Sequence, residues 1–143
     1  MKLTAKARYA VTAMVALARH DRAVSLPVLA QEQRISLTML EQIFAQLRRA
    51  GLVVSTRGAR GGYRLAVAPR ALTLDRIIRA VEVDIRAQGC TAEVRKSCVG
   101  RDEVCLTHGL WHDLETHIED FFARTTVADV LLRRVRNSAE MLA

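Results

Sequence analysis

Leu3, Ala7, Ala10, Val11, Met14, Leu17 and Ala18 recur at the three- and four-residue intervals of one helix face. The cap-type Thr4 opens this predicted helix, and the polar Asp21-Arg22 pair breaks its pattern just after His20. Ser25 begins a short helix with Pro27 in its first turn, where a missing amide hydrogen costs nothing, and that helix runs to about Gln33. Arg34-Ile35-Ser36 makes a tight turn into a third helix, Leu37 to Ala50, closed by Gly51 where a left-handed residue is wanted. Two short helices joined by such a turn make a helix-turn-helix.

The period then shortens. Leu52-Val53-Val54-Ser55-Thr56 is rich in β-formers, and Tyr63-Arg64-Leu65-Ala66 can return beside it. Between them, Arg57-Gly58-Ala59-Arg60-Gly61-Gly62 makes a flexible, positively charged hairpin tip. A helix-turn-helix followed by this hairpin is the winged-helix order. Pro69 ends the unit, and Thr73 caps a short helix with Leu74, Ile77, Ile78 and Val81 on its buried side.

Residues 84 to 104 lose all periodicity. From Leu106 onward, Leu110, Leu114, Ile118, Phe121 and Phe122 mark one stripe of a long helix, opposite Asp113, Glu115, Glu119 and Asp120. Thr125 or Thr126 caps a last helix carrying Val127, Val130, Leu131 and Val135. The expected fold is mainly α: a winged helix-turn-helix with a small β-hairpin wing, a ligand loop and a long C-terminal dimerisation helix. The expected divisions are residues 1–82 for the winged helix, 83–105 for the loop, and 106–143 for the long and terminal helices. An apolar stripe on a helix beyond a closed first unit needs a second surface, which points to a homodimer.

The charge distribution says more than the net +7. Residues 1–70 hold 12 Lys+Arg against 3 Asp+Glu, or +9, and residues 71–143 hold 10 against 12, or −2. Only the first half is built to meet a polyanion, and double-stranded DNA is the expected partner. In the third helix Leu40, Ile43, Phe44 and Leu47 share one face, leaving Thr38, Glu41, Gln42, Ala45, Arg48 and Arg49 on the other. Ser36, Thr38, Glu41 and Gln42 would face base edges, Glu41 accepting from cytosine and Gln42 bonding adenine, with Arg48 and Arg49 on phosphates. Arg57 and Arg60 of the wing would enter a flanking minor groove, and Lys2, Lys6 and Arg8 would hold further phosphates. The uncharged stretch Tyr9 to Ala18 has the outline of a secretion signal, but Arg19 cuts it short and its 10 residues cannot span a bilayer. No membrane and no small-molecule substrate are expected.

All three cysteines lie with His108 inside 19 consecutive residues: Cys90, Cys98, Cys105, His108. An odd cysteine count is unlike a disulfide framework and fits reduced thiols in the cytoplasm. Thiolates and an imidazole suit zinc or an iron-sulfur cluster rather than calcium or magnesium, and four of them fill a shell for either. No Cys-x-x-Cys pair is present, which argues against a zinc ribbon or a thioredoxin-like redox site. Cys105 and His108 stand at i and i+3, and the cations Arg95, Lys96 and Arg101 would favour thiolates. A Cys105/His108 nucleophile pair would need an orienting third residue; the chain offers none, so an enzyme is not expected.

Several strings together resemble the IscR family of iron-sulfur winged-helix regulators. They are Lys2-Leu3-Thr4 with Arg8-Tyr9-Ala10-Val11-Thr12-Ala13-Met14, then Ile35-Ser36-Leu37 with Leu40-Glu41-Gln42, then Arg57-Gly58 followed by Gly61-Gly62-Tyr63. The most specific is Cys105-Leu106-Thr107-His108 with Leu110-Trp111 after it. The resemblance covers residue 1 to about 135. It implies a homodimer joined through the long helix on a palindromic operator, and a [2Fe-2S] cluster held by Cys90, Cys98, Cys105 and His108. It also implies repression or activation of iron-sulfur assembly genes, with DNA contacts from Thr38, Glu41, Gln42 and Arg57. Both gaps between the cysteines exceed the family's usual five residues, which leaves structural zinc or a [4Fe-4S] cluster sensing iron, redox state or nitric oxide as the alternative.

Overall fold

The computed structural model describes residues 3–82 and 106–133. In chain order the elements are α1 (Ala5–Ala18), α2 (Leu26–Gln33), α3 (Leu37–Arg49), β1 (Val53–Thr56), β2 (Gly62–Leu65), α4 (Leu74–Val81), α5 (His108–Arg124) and α6 (Val127–Leu131). The mainly helical winged helix-turn-helix expected from the sequence is what forms.

The core is organised around α1. Thr4 caps it, its hydroxyl oxygen accepting from the Ala7 amide at 3.2 Å. Ala7, Ala10, Ala13 and Ala16 are buried with Met14 and Leu17. Such small side chains let neighbouring backbones come close on several sides, and α1 packs against α2, α3, α4, α6 and β2.

Helix α3 is fixed at both ends and along one face. Ser36 caps it by accepting from the Met39 amide at 3.2 Å. Leu40, Ile43, Phe44 and Leu47 are fully buried. Gly51, at φ +74, turns the chain out of the helix, and the Leu52 amide donates back to the Leu47 carbonyl at 3.0 Å.

β1 and β2 pair antiparallel with Val53 opposite Leu65 and Thr56 opposite Gly62. A connection with no local signature adds a third partner. The Val24 amide donates to the Tyr63 carbonyl at 2.9 Å, and the Tyr63 amide to the Val24 carbonyl at 2.8 Å. This anchors the wing to the segment leading into α2.

After α5 the chain returns to the linker before α4. Leu74 donates to the Thr125 carbonyl, Val127 to the Leu72 carbonyl and Ala128 to the Pro69 carbonyl, at 2.9, 2.9 and 3.1 Å. Thr125 and Val127 are buried there. Thr126 and Asp129 close α6 with a reciprocal capping box. The C-terminal end of α5 is thereby bound to the winged-helix unit, and α5 also packs on α4.

Four local expectations change in detail. Ser25 and Thr73 stand at helix N-caps without a side-chain cap bond. The long helix begins at His108, two residues after fully exposed Leu106. The last helix, within the described residues, is the five-residue α6, and Val135 lies outside them.

Candidate nucleic-acid interface and sensing segment

The two faces of α3 differ as its sequence pattern requires. With Leu40, Ile43, Phe44 and Leu47 turned into the core, Thr38, Glu41, Gln42, Arg48 and Arg49 are all exposed, as is Ser36 at the head of the helix. Ala45, between them, is half-buried. The Ser36 oxygen accepts the Met39 amide, so its hydroxyl proton can still be given to a DNA oxygen. Arg48 and Arg49 occupy the last turn, where cations also complement the helix dipole. One exposed face therefore runs from short polar groups to paired guanidiniums.

The wing supplies the second part. Arg57 and Arg60 are exposed on the tip between β1 and β2, and the tip is tightened by the Gly61 amide donating to the Gly58 carbonyl at 2.9 Å. The wing's base is packed directly on α3. The Tyr63 ring packs against Phe44, centroids 4.9 Å apart and planes tilted by 60°. Of the N-terminal cations, Arg8 is exposed on α1, Lys6 is half-buried, and Lys2 lies outside the described residues.

The expected ligand segment is described only at its C-terminal end. Cys90, Cys98 and Cys105 lie outside the described residues, as does all of 83–105. His108, the first residue of α5, is half-buried. The Trp111 indole donates to the Thr107 hydroxyl at 3.1 Å, bracing the turn that presents it. Among the described residues no group of three or more His, Cys, Asp or Glu side chains could hold a metal.

The expected dimer stripe divides. Leu110, Leu114 and Phe121 are 60%, 39% and 42% exposed, Ile118 is half-buried, and Phe122 turns partly inward against the core. Across its 17 residues α5 contains no buried side chain. Sequence reasoning missed the Val24–Tyr63 anchor and the return of residues 125–128 to the α4 linker. Both join segments far apart in sequence, and no local pattern marks them.

A compact trihelical unit with an exposed polar recognition face and a charged wing defines a winged helix-turn-helix DNA-binding protein. The family model described as Rrf2, iron-dependent transcriptional regulator, matches residues 3–133. The chain belongs to the Rrf2 family of transcriptional regulators, not to a family of enzymes. It is 42% identical over 134 residues to the HTH-type transcriptional regulator IscR of Vibrio cholerae, covering 92% of this chain and 76% of that one. Among solved structures, that of T. potens IscR is 34% identical with a TM-score of 0.75, covering 100% of this chain and 97% of the other. That of CymR, the global cysteine regulator of B. subtilis, is also 34% identical, with a TM-score of 0.79 and coverages of 93% and 98%. The same fold thus serves regulators of differently described scope.

Proposed function

We propose that this chain is a DNA-binding transcriptional regulator that senses iron-sulfur cluster status through a [2Fe-2S] cluster and controls the genes of cluster assembly. The observation that carries this reading is His108, at the head of an α5 whose stripe is exposed, standing three residues after Cys105. Three thiolates and one imidazole fit an iron-sulfur cluster in donor chemistry. Cys90, Cys98, Cys105 and His108 would hold the cluster, which when bound would supply a one-electron couple and a report of cluster supply.

The remaining work falls to the chain itself. The exposed Leu110, Leu114 and Phe121 would meet the same face of a second copy, giving a homodimer whose two recognition helices fit a palindromic operator. Ordering at the His108 end of α5 would be passed along a helix whose other end is hydrogen-bonded to the winged-helix unit. Thr38, Glu41 and Gln42 would read base edges, while Arg48, Arg49, Arg57 and Arg60 hold backbone and minor groove, with Lys2, Lys6 and Arg8 on flanking phosphates. A DNA-binding chain whose three cysteines stay reduced would act in the cytoplasm. Residues 1–82, 83–105 and 106–143 would then be reader, sensor and dimerisation segment.

The test is selection of bound duplexes from a random pool by the anaerobically purified protein and by Cys98→Ala. The expected result is a palindromic motif for the first and an altered motif or affinity for the second. Identical affinity and sequence preference in both would refute the coupling of cluster to DNA.

A further inference from the structure

The turn inside the helix-turn-helix contains a residue whose backbone and side chain disagree with a purely structural role. Arg34 caps the C-terminus of α2 in the left-handed conformation, at φ 53 and ψ 42. Glycine fills this position at no steric cost, whereas any residue with a Cβ is strained there. The turn itself is held by other groups. The Arg34 and Ile35 amides both donate to the Ala30 carbonyl, and the Ile35 side chain is buried.

Nothing inside the described structure uses the arginine side chain. It is exposed, and among the described residues it forms no ion pair. The nearest acid in sequence, Glu32, is instead engaged by the His20 ring at 3.3 Å. What distinguishes the position is where it lies. Arg34 stands two residues before Ser36, so its Cα is within about 7.6 Å of the residue that caps the recognition helix. The long, exposed stem of Arg34 therefore starts two residues from the polar end of α3 that carries Thr38, Glu41 and Gln42, within reach of the same duplex.

We infer that Arg34 is a phosphate-binding residue of the DNA interface. Its guanidinium holds a backbone phosphate of the duplex at the N-terminal end of the recognition helix, and the strained turn is tolerated for that contact. The contact is a charge-assisted hydrogen bond to non-bridging phosphate oxygens. It sets register and adds affinity, and it reads no base. This assignment rests on α3 being the reading helix, as proposed above.

The experiment compares wild type, Arg34→Gly, Arg34→Lys and Arg57→Ala for binding to a random-sequence DNA duplex across a salt series, with thermal melting of each free protein. Arg34→Gly removes charge and backbone strain together, so the expected result is a higher melting temperature with severalfold weaker binding. Its plot of log affinity against log salt is expected to be shallower by about 0.9 for each Arg34 engaged. Arg34→Lys keeps most of the affinity, because a phosphate contact needs the charge. Wild-type affinity and slope in Arg34→Gly, with Arg57→Ala weakened, would overturn the Arg34 contact and leave the interface standing. A wild-type protein that binds no duplex would overturn the interface and Arg34 with it.

Discussion

Tyr63 of the wing and Phe44 of the recognition helix stand in tilted contact, their ring centroids 4.9 Å apart. Phe44 is fully buried, and the backbone of Tyr63 is hydrogen-bonded in both directions to Val24. One residue thus ties the wing to the reading helix and to the segment before α2. Tyr63→Ala is expected to lower stability by about 1–3 kcal/mol, from lost burial and lost ring contact. Urea denaturation at fixed protein concentration measures it, and duplex titration should show weaker binding because the wing loses its packing on Phe44. Unchanged stability would mean that the wing is held by its backbone alone.

Gly62 sets a harder limit on the same joint. Its φ is +149, and a Cβ there would lie 2.3 Å from the Val24 carbonyl carbon and oxygen. The obstacle is backbone, so no side-chain rotation relieves it. Gly62→Ala is expected to break the Val24–Tyr63 pairing and destabilise by about 2–4 kcal/mol or more, combining a steric clash with two lost hydrogen bonds. Circular dichroism melts measure the loss, and a variant that melts with the wild type would contradict the close approach.

The segments that were legible in the sequence are those whose order is local. The periodic Leu40, Ile43, Phe44 and Leu47, the cap at Ser36 and the stop at Gly51 define α3 almost to the residue. The wing follows from β-formers around a glycine-rich tip. Its anchor on Val24, and the return of Thr125 to Ala128 onto the α4 linker, depend on partners brought near only by the finished core. Arg34 escaped because its left-handed conformation is atypical of arginine. The polar side of α3 was legible from its spacing, and Thr38, Glu41, Gln42, Arg48 and Arg49 are exposed on it. The ligand set was legible as chemistry alone, because three of its four members lie outside the described residues.

The capping box of α6 closes the clamp that holds the C-terminal end of α5. The Thr126 hydroxyl accepts from the Asp129 amide at 3.1 Å, and the Asp129 carboxylate accepts from the Thr126 amide at 2.9 Å. Thr126→Ala is expected to cost about 1 kcal/mol, the usual loss for a helix N-cap. Thermal melting measures it, and hydrogen exchange should quicken at the Val127 and Ala128 amides before the core of α1.

The stripe on α5 carries the dimer reading. Leu114→Asp would place a charge at the middle of an apolar contact, next to Leu110 and Phe121. The expected outcome is a monomer in sedimentation equilibrium with a stability shift below about 0.5 kcal/mol in the isolated chain, since Leu114 is an exposed residue. Operator affinity should fall as the two half-sites lose their joint reader. A Leu114→Asp protein with the wild-type mass would move the interface elsewhere.

Cys90, Cys98, Cys105 and His108 are proposed to hold a [2Fe-2S] cluster. Anaerobic purification followed by a visible absorption spectrum and counts of iron and acid-labile sulfide puts this to the test. The expected result is a coloured protein with two irons and two sulfides for each chain, whose colour is lost in Cys98→Ala and altered in His108→Ala; four of each would contradict the [2Fe-2S] assignment. A colourless protein carrying zinc, or none of these elements, would contradict it.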